Sequence, residues 1–206
     1  MPSRVSPARS VMSPTRARAL VVLSTAVLAS AFFVACGGES SRAGSAPPTT
    51  TSTTRPAFRD VAPTAADFVN LNSMTRVGDH FVSSLNGHLD AVLAVARSKN
   101  GGVYPVGTMI QLVPTEAMVK RHAGYSPSTG DWEFFSLKVS AQGTKIVHSG
   151  AVVKNFFGGD CASCHRAAAK QFDFVCGKNH GCAPLPISDA FIATIQRLDP
   201  RPKRSS

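Results

Sequence analysis

The sequence predicts an α+β fold, mainly β: an antiparallel sheet with flanking helices and a segment bearing reactive side chains late in the chain. Three observations predict it. Short apolar, β-branched segments follow one another closely between Val103 and Ser140, and strands so linked pair antiparallel because no crossover fits between them. Apolar residues at helical spacing bracket that region, as Leu85, Leu89, Val92, Leu93 and Ala96 before it and Phe191, Ile192, Ile195 and Leu198 after it. Between the strands and the last helix lies Cys161-Ala162-Ser163-Cys164-His165.

The chain has 206 residues, 22 Lys+Arg against 12 Asp+Glu, and five Cys. Arg4, Arg9, Arg16 and Arg18 precede an uncharged run from Ala19 to Ala35, with no acid in the stretch. A basic start followed by an apolar run is the layout of an export signal, so residues 1–35 are expected to be a signal peptide. Removing them takes four of the 22 basic residues and none of the acids, which lowers the net charge from +10 to +6. The rest of the charge is dispersed apart from Arg201, Lys203 and Arg204. No basic stripe interleaved with aromatics remains, and no nucleic-acid partner is expected.

Cys36 follows the apolar run directly in Val34-Ala35-Cys36-Gly37. The arrangement resembles a bacterial lipoprotein cleavage site, which implies a lipid on Cys36 and a membrane anchor for an exported protein facing the periplasm or cell exterior. Two alternatives stay open: cleavage after Ala29-Ser30-Ala31, or an uncleaved anchor, for which Ala19 to Ala35 is marginally long. Residues 36–56 include "ESSRAGSAPPTTTSTTRP", too poor in apolar side chains to offset the entropy of ordering, and read as a tether. The remaining residues, 57–206, are enough for one adequately packed domain.

Within the domain, Ser84 to Arg97 is expected to be an amphipathic helix stopped by Asn100-Gly101-Gly102. The strand-like segments are "VYPVGTMIQLVP", "EAMVKR" and, after the turn-forming Ser126 to Asp131, "WEFFSLKVS". In the last of these the period of two puts Glu133, Phe135, Leu137 and Val139 on one face and Trp132, Phe134, Ser136 and Lys138 on the other. Glu133 thus shares a face with apolar residues, either in water at a frayed strand start or as a carboxylate aimed into a pocket. The final helix takes Ser188 as its N-cap and ends at Asp199-Pro200.

The C-x-x-C-H motif is the most specific signal. One helical turn presents the thiols of Cys161 and Cys164 along one porphyrin edge, where they can add to two vinyl groups, and leaves His165 as axial iron ligand. Covalent haem c, one per chain, is therefore expected, completing the fold with a C-terminal covalent haem c segment. A redox pair lacks a thioredoxin-like context, and a zinc site of Cys161, Cys164, Cys176 and Cys182 has a loose gap between the last two. In an oxidising compartment Cys176 and Cys182 are left to form a disulfide, with His180 in the intervening loop more in keeping with exposure than with ligation. The last methionine, Met118, lies upstream of the motif, which excludes a methionine sixth ligand from the C-terminal side. The strand-like region argues against a four-helix haem bundle.

The order "YPVGTMIQLVP", "EAMVKR", "DWEFF" and then "CASCH" resembles the cytochrome P-460 family, related to the β-sheet cytochromes c-prime, over roughly Arg76 to Cys182. The resemblance implies a mainly antiparallel sheet, a homodimer, and either oxidation of hydroxylamine or binding of nitric oxide and carbon monoxide at an open iron. It assigns the thioethers to Cys161 and Cys164 and the proximal ligand to His165. Active members also have a distal carboxylate and a lysine bonded to the porphyrin. Glu133 is the candidate distal acid, and Phe134 or Phe135 the candidate distal aromatic. The segment Met109 to Val113 contains no lysine, so Lys120 is the nearest substitute, although its position alone reads as an exposed strand lysine. A redox partner cytochrome is a further expectation. The alternative function is electron transfer at a six-coordinate iron, with His80, His88, His122 or His148 as the second ligand.

Overall fold

The computed structural model describes residues 58–203. The expected signal peptide, the lipidation site Cys36 and the tether over residues 36–56 lie outside the described residues. Among those described, no helix is long and apolar enough to cross a membrane.

Six strands form one antiparallel sheet in sequential order: β1 (Thr75–Val77), β2 (His80–Ser84), β3 (Thr108–Gln111), β4 (Glu116–Lys120), β5 (Trp132–Ser140) and β6 (Gly143–Gly150). The mainly β architecture expected from the spacing is thus present. Strands β3, β4 and β5 fall within the three apolar segments, whereas β1, β2 and β6 are too short or too mixed in polarity to announce themselves.

The expected helix over Ser84 to Arg97 is shorter, and α1 runs Leu89–Ala96. Its first residues instead close β2 and turn, with Ser84 Oγ accepting the N–H groups of Asn86 at 3.3 Å and His88 at 3.0 Å. Packing explains the difference: Leu85 lies against the Phe68 and Met109 side of the sheet, while Val92 belongs to the opposite side. A continuous helix could not serve both. Two further helices follow, α2 (Cys161–His165) and α3 (Asp189–Arg197), the latter capped as expected by Ser188, whose Oγ accepts the Phe191 N–H at 3.3 Å.

Register divides the core into two layers. Val82, Ile110, Met118 and Phe134 lie side by side across β2 to β5 and pack with Val92, Trp132, Cys161, Ala162 and Val175. On the other face Met109, Val119, Ala117, Phe135 and Leu137 pack with Phe68. The first four residues of β5 are buried on both faces because both are covered.

The chain's end locks the second layer. Arg201 and Asp199 form a buried bidentate pair, with Nη2 to Oδ2 at 2.6 Å and Nε to Oδ1 at 2.9 Å. Arg201 Nη1 also donates to the Phe68 carbonyl at 3.0 Å, and Asp199 Oδ2 accepts the Leu71 N–H at 2.8 Å. Removing one partner of such a pair leaves a buried charge uncompensated. Asp199→Ala is expected to cost about 3–5 kcal/mol, read as a lowered urea midpoint with an unchanged slope.

Candidate haem attachment site

The site is built on a tight turn and one short helix. Asn155 Oδ1 accepts the N–H groups of Phe157 at 3.0 Å and Gly159 at 2.9 Å, folding residues 155–159 into a loop. The chain then re-enters the core through the Cys161 N–H, which donates to the Val153 carbonyl at 2.9 Å. Asp160 caps α2, its Oδ1 accepting the Ser163 N–H at 2.8 Å. This entry puts Cys161 in the core and leaves Cys164 exposed, with both thiols outside any disulfide.

Burial pushes the Cys161 thiol up to about 12, with Glu116 and Asp160 adding to the effect. Glu116 itself is raised by burial, against the Phe156 N–H that its Oε1 accepts at 2.5 Å. Phe156, 80% exposed, and Phe157 stand next to the motif at the loop's tip. Exposed aromatic surface beside two reduced cysteines fits an apolar macrocycle attached there.

His165 is oriented by a single bond. Its Nδ1 donates to the Phe174 carbonyl at 2.7 Å, and its ring lies 5.2 Å from that of Phe134, centroid to centroid. A histidine that donates from Nδ1 keeps the lone pair of Nε2 for a metal, the usual arrangement of a ligating imidazole. Burial lowers its pKa and so favours the neutral ring that ligation requires. The residue types at Cys161, Cys164 and His165, and the tautomer and neutral state favoured at His165, fit covalent haem.

Cys176 and Cys182 form a disulfide, as expected. The pairing withdraws two of the four thiols of the zinc alternative, and among the described residues no group of three or more His, Cys, Asp or Glu is placed to hold a metal ion. The disulfide loop folds back onto the motif: Cys176 Sγ is 3.8 Å from the Cys164 carbonyl oxygen, and the Ala169 N–H donates to the His180 carbonyl at 2.7 Å. His180, expected in water, is instead half-buried and stacked on Phe172 at 3.7 Å, with Nδ1 donating to the Val175 carbonyl.

The distal candidates are rearranged. Glu133 faces away from the motif, on the side of Met109 and Val119, so its assignment as distal acid is corrected. It is 8% exposed, not frayed into water, because Arg121 donates to it while binding both oxygens of Asp60. Phe135 shares that far face, 4.9 Å from Phe68, and is withdrawn as a distal aromatic. Phe134 lies on the motif side with its ring against His165, the side of the candidate proximal ligand and not a distal one.

Lys120 lies on the motif side and is 6% exposed, which corrects the reading of an exposed strand lysine. Its ammonium donates to Asp173 Oδ1, Asp173 Oδ2 and the Gly130 carbonyl, each at 2.7 Å, and sits 5.2 Å from the Trp132 ring centroid. Three acceptors take all three of its donors, leaving none for a reacting group.

Asp173 and Phe174 are the residues that sequence reasoning missed. The one available signal was Trp132, whose indole N–H needs a partner when buried. That partner is the Asp173 carbonyl, at 2.7 Å.

Comparison of the chain with family models, curated proteins and solved structures finds no match. What the site can do therefore rests on its own residues.

The two motif thiols differ in a measurable way. In chain produced without haem maturation, iodoacetamide at about pH 8 is expected to alkylate Cys164 and spare Cys161, as read by peptide mass spectrometry under native conditions.

Proposed function

We propose that this is an exported, lipid-anchored monohaem c-type protein similar to the cytochrome P-460 family, which binds nitrogen oxides at an open iron or oxidises hydroxylamine there. The observation that carries this reading is His165, held by Phe174 with Nε2 free for iron, one residue from Cys164 and four from Cys161. Haem, once attached, would supply a redox-active iron that takes up small ligands.

The chain's own residues favour ligand binding over oxidation. Oxidation of an N–H substrate needs a group able to take protons near the iron. Glu133 is turned to the far face and bound by Arg121, and the Lys120 amine is occupied by Asp173 and Gly130. Nitric oxide binding needs neither.

One observation favours electron transfer as a second reading. Among the histidines considered as second ligands, His80 is buried, and its Nε2 has no hydrogen-bond partner among the described residues. Its Nδ1 faces Asp79 Oδ1 at 3.1 Å, the carboxylate–imidazole pattern that keeps Nε2 free for a metal. His122 and His148 are exposed, and His88 lies against Phe58.

The full chain matured with a periplasmic c-haem system distinguishes these readings by its ferrous absorption spectrum with and without carbon monoxide and nitric oxide. A high-spin spectrum that shifts with both gases is expected. A low-spin spectrum indifferent to them would make the protein an electron carrier, and His80→Ala would then be expected to open the iron to carbon monoxide. A chain without covalent haem stain after denaturing electrophoresis would defeat both readings.

A further inference from the structure

The geometry points to Lys120 and Asp173 as positioning residues that hold the Phe174 carbonyl against His165 Nδ1 and thereby set how strongly His165 binds iron. The proposal rests on the haem reading above and deepens it.

Asp173 and Phe174 are consecutive residues with positive φ, +49° and +64°. Aspartate tolerates this region, but a residue as bulky as phenylalanine adopts it only under constraint. The constraints come from four directions. Lys120 Nζ binds both Asp173 carboxylate oxygens, and the Tyr104 N–H donates to Asp173 Oδ2 at 2.9 Å. Trp132 Nε1 donates to the Asp173 carbonyl, fixing the peptide plane just before Phe174. The Phe174 ring lies where a side chain on Gly130 would be, since a Cβ added there would come within 2.6 Å of its Cδ2. The Gln171 carbonyl accepts the Gly102 N–H at 2.7 Å and lies 2.1 Å from where a Cβ on Gly101 would be.

The next carbonyl along this pinned backbone is that of Phe174. Freed from Lys120 and Trp132, the segment would relax towards negative φ and turn that carbonyl away from His165. An imidazole that donates from Nδ1 is a more basic ligand at Nε2 than one that does not. A more basic ligand binds iron more strongly and favours the ferric state. The consequence of losing the lock is therefore directional: a weaker iron–histidine bond and a higher reduction potential.

The test uses the full-length holoprotein and two readouts, the iron–histidine stretching frequency of the ferrous form by resonance Raman and the midpoint potential by redox titration. The potential serves for either coordination state of the iron. Lys120→Met is expected to keep the covalent haem stain, lower the stretching frequency and raise the potential. Trp132→Phe, which removes the bond to the Asp173 carbonyl and the indole face under the Lys120 ammonium but leaves the Lys120–Asp173 pair in place, is expected to move both in the same direction by less, and it decides the matter if Lys120→Met fails to mature. Asp60→Asn, which breaks the Arg121 ion pair elsewhere on the sheet, is the control: a lower melting temperature with both readouts at wild-type values. Wild-type frequency and potential in whichever of Lys120→Met and Trp132→Phe mature would overturn the proposal, as would an equal shift in Asp60→Asn. A wild-type chain that carries no haem would overturn the haem reading itself, an outcome separate from the other two.

Discussion

The 2.7 Å bond from His165 Nδ1 to the Phe174 carbonyl is the constraint on which the site depends, and it crosses from a short helix to a loop that would not hold its shape alone. Two successive left-handed residues cost roughly 1–3 kcal/mol each. The buried Lys120–Asp173 pair, the Trp132 indole and the space left by Gly130 offset that cost locally. Burial pushes the Asp173 carboxyl up and the Lys120 ammonium draws it back down, so the pair has little to spare as a source of net stability. Breaking it would leave either charge alone in a poorly solvated setting. Its geometry matters more than its energy: a lysine on β4 holds the carboxylate, and a tryptophan on β5 the carbonyl, of one residue 41 positions beyond the tryptophan.

The sheet separates two jobs by face. On one face, the row Val82, Ile110, Met118 and Phe134 lies under Cys161, Ala162 and Val175. On the other, Phe68 and the Asp199–Arg201 pair close the second layer. Because the side-chain period is two, each β5 residue is committed to one job by parity alone. Phe134 and Phe135 are neighbours in sequence, yet one touches His165 and the other packs against Phe68.

Much of this was legible in the sequence. The parity of β5, the Ser188 cap, the disulfide and the antiparallel pairing of the strands all rest on local rules of spacing, capping and cysteine chemistry. The corrected site residues have separate causes. Lys120 enters only as the lysine nearest to a strand that lacks one, whereas Glu133 is placed by strand alternation, which says that two residues share a face but not which face meets the C-x-x-C-H motif. That choice was made by Cys161 and Ala162, which dock beside Met118 and Phe134. The partners of Lys120 and Glu133 are equally invisible: Lys120 reaches Asp173, 53 residues on, and Arg121 joins Glu133 to Asp60, 61 residues before the arginine. Exposure was misjudged for the same reason: a charged strand residue reads as solvated until its counter-ion is known, and both of these have one.

The same placement bears on chemistry. A lysine with three acceptors and a carboxylate held by an arginine cannot serve as proton carriers unless the fold first gives up those bonds. Near the motif, burial raises two carboxyls, Asp173, bound by Lys120, and Glu116 on β4, whose Oε1 accepts the Phe156 N–H. Asp173 and Phe174 orient the imidazole, while Glu116 ties the loop over residues 155–159 to β4. On the proposed haem reading, such a site would present iron to a ligand that asks for no proton, and nitric oxide and carbon monoxide are ligands of that kind. Hydroxylamine is not, since its oxidation must pass protons to some acceptor. On that reading, the distinction between binder and oxidase would turn on hydrogen bonds that Lys120 and Glu133 have already made, more than on the motif itself.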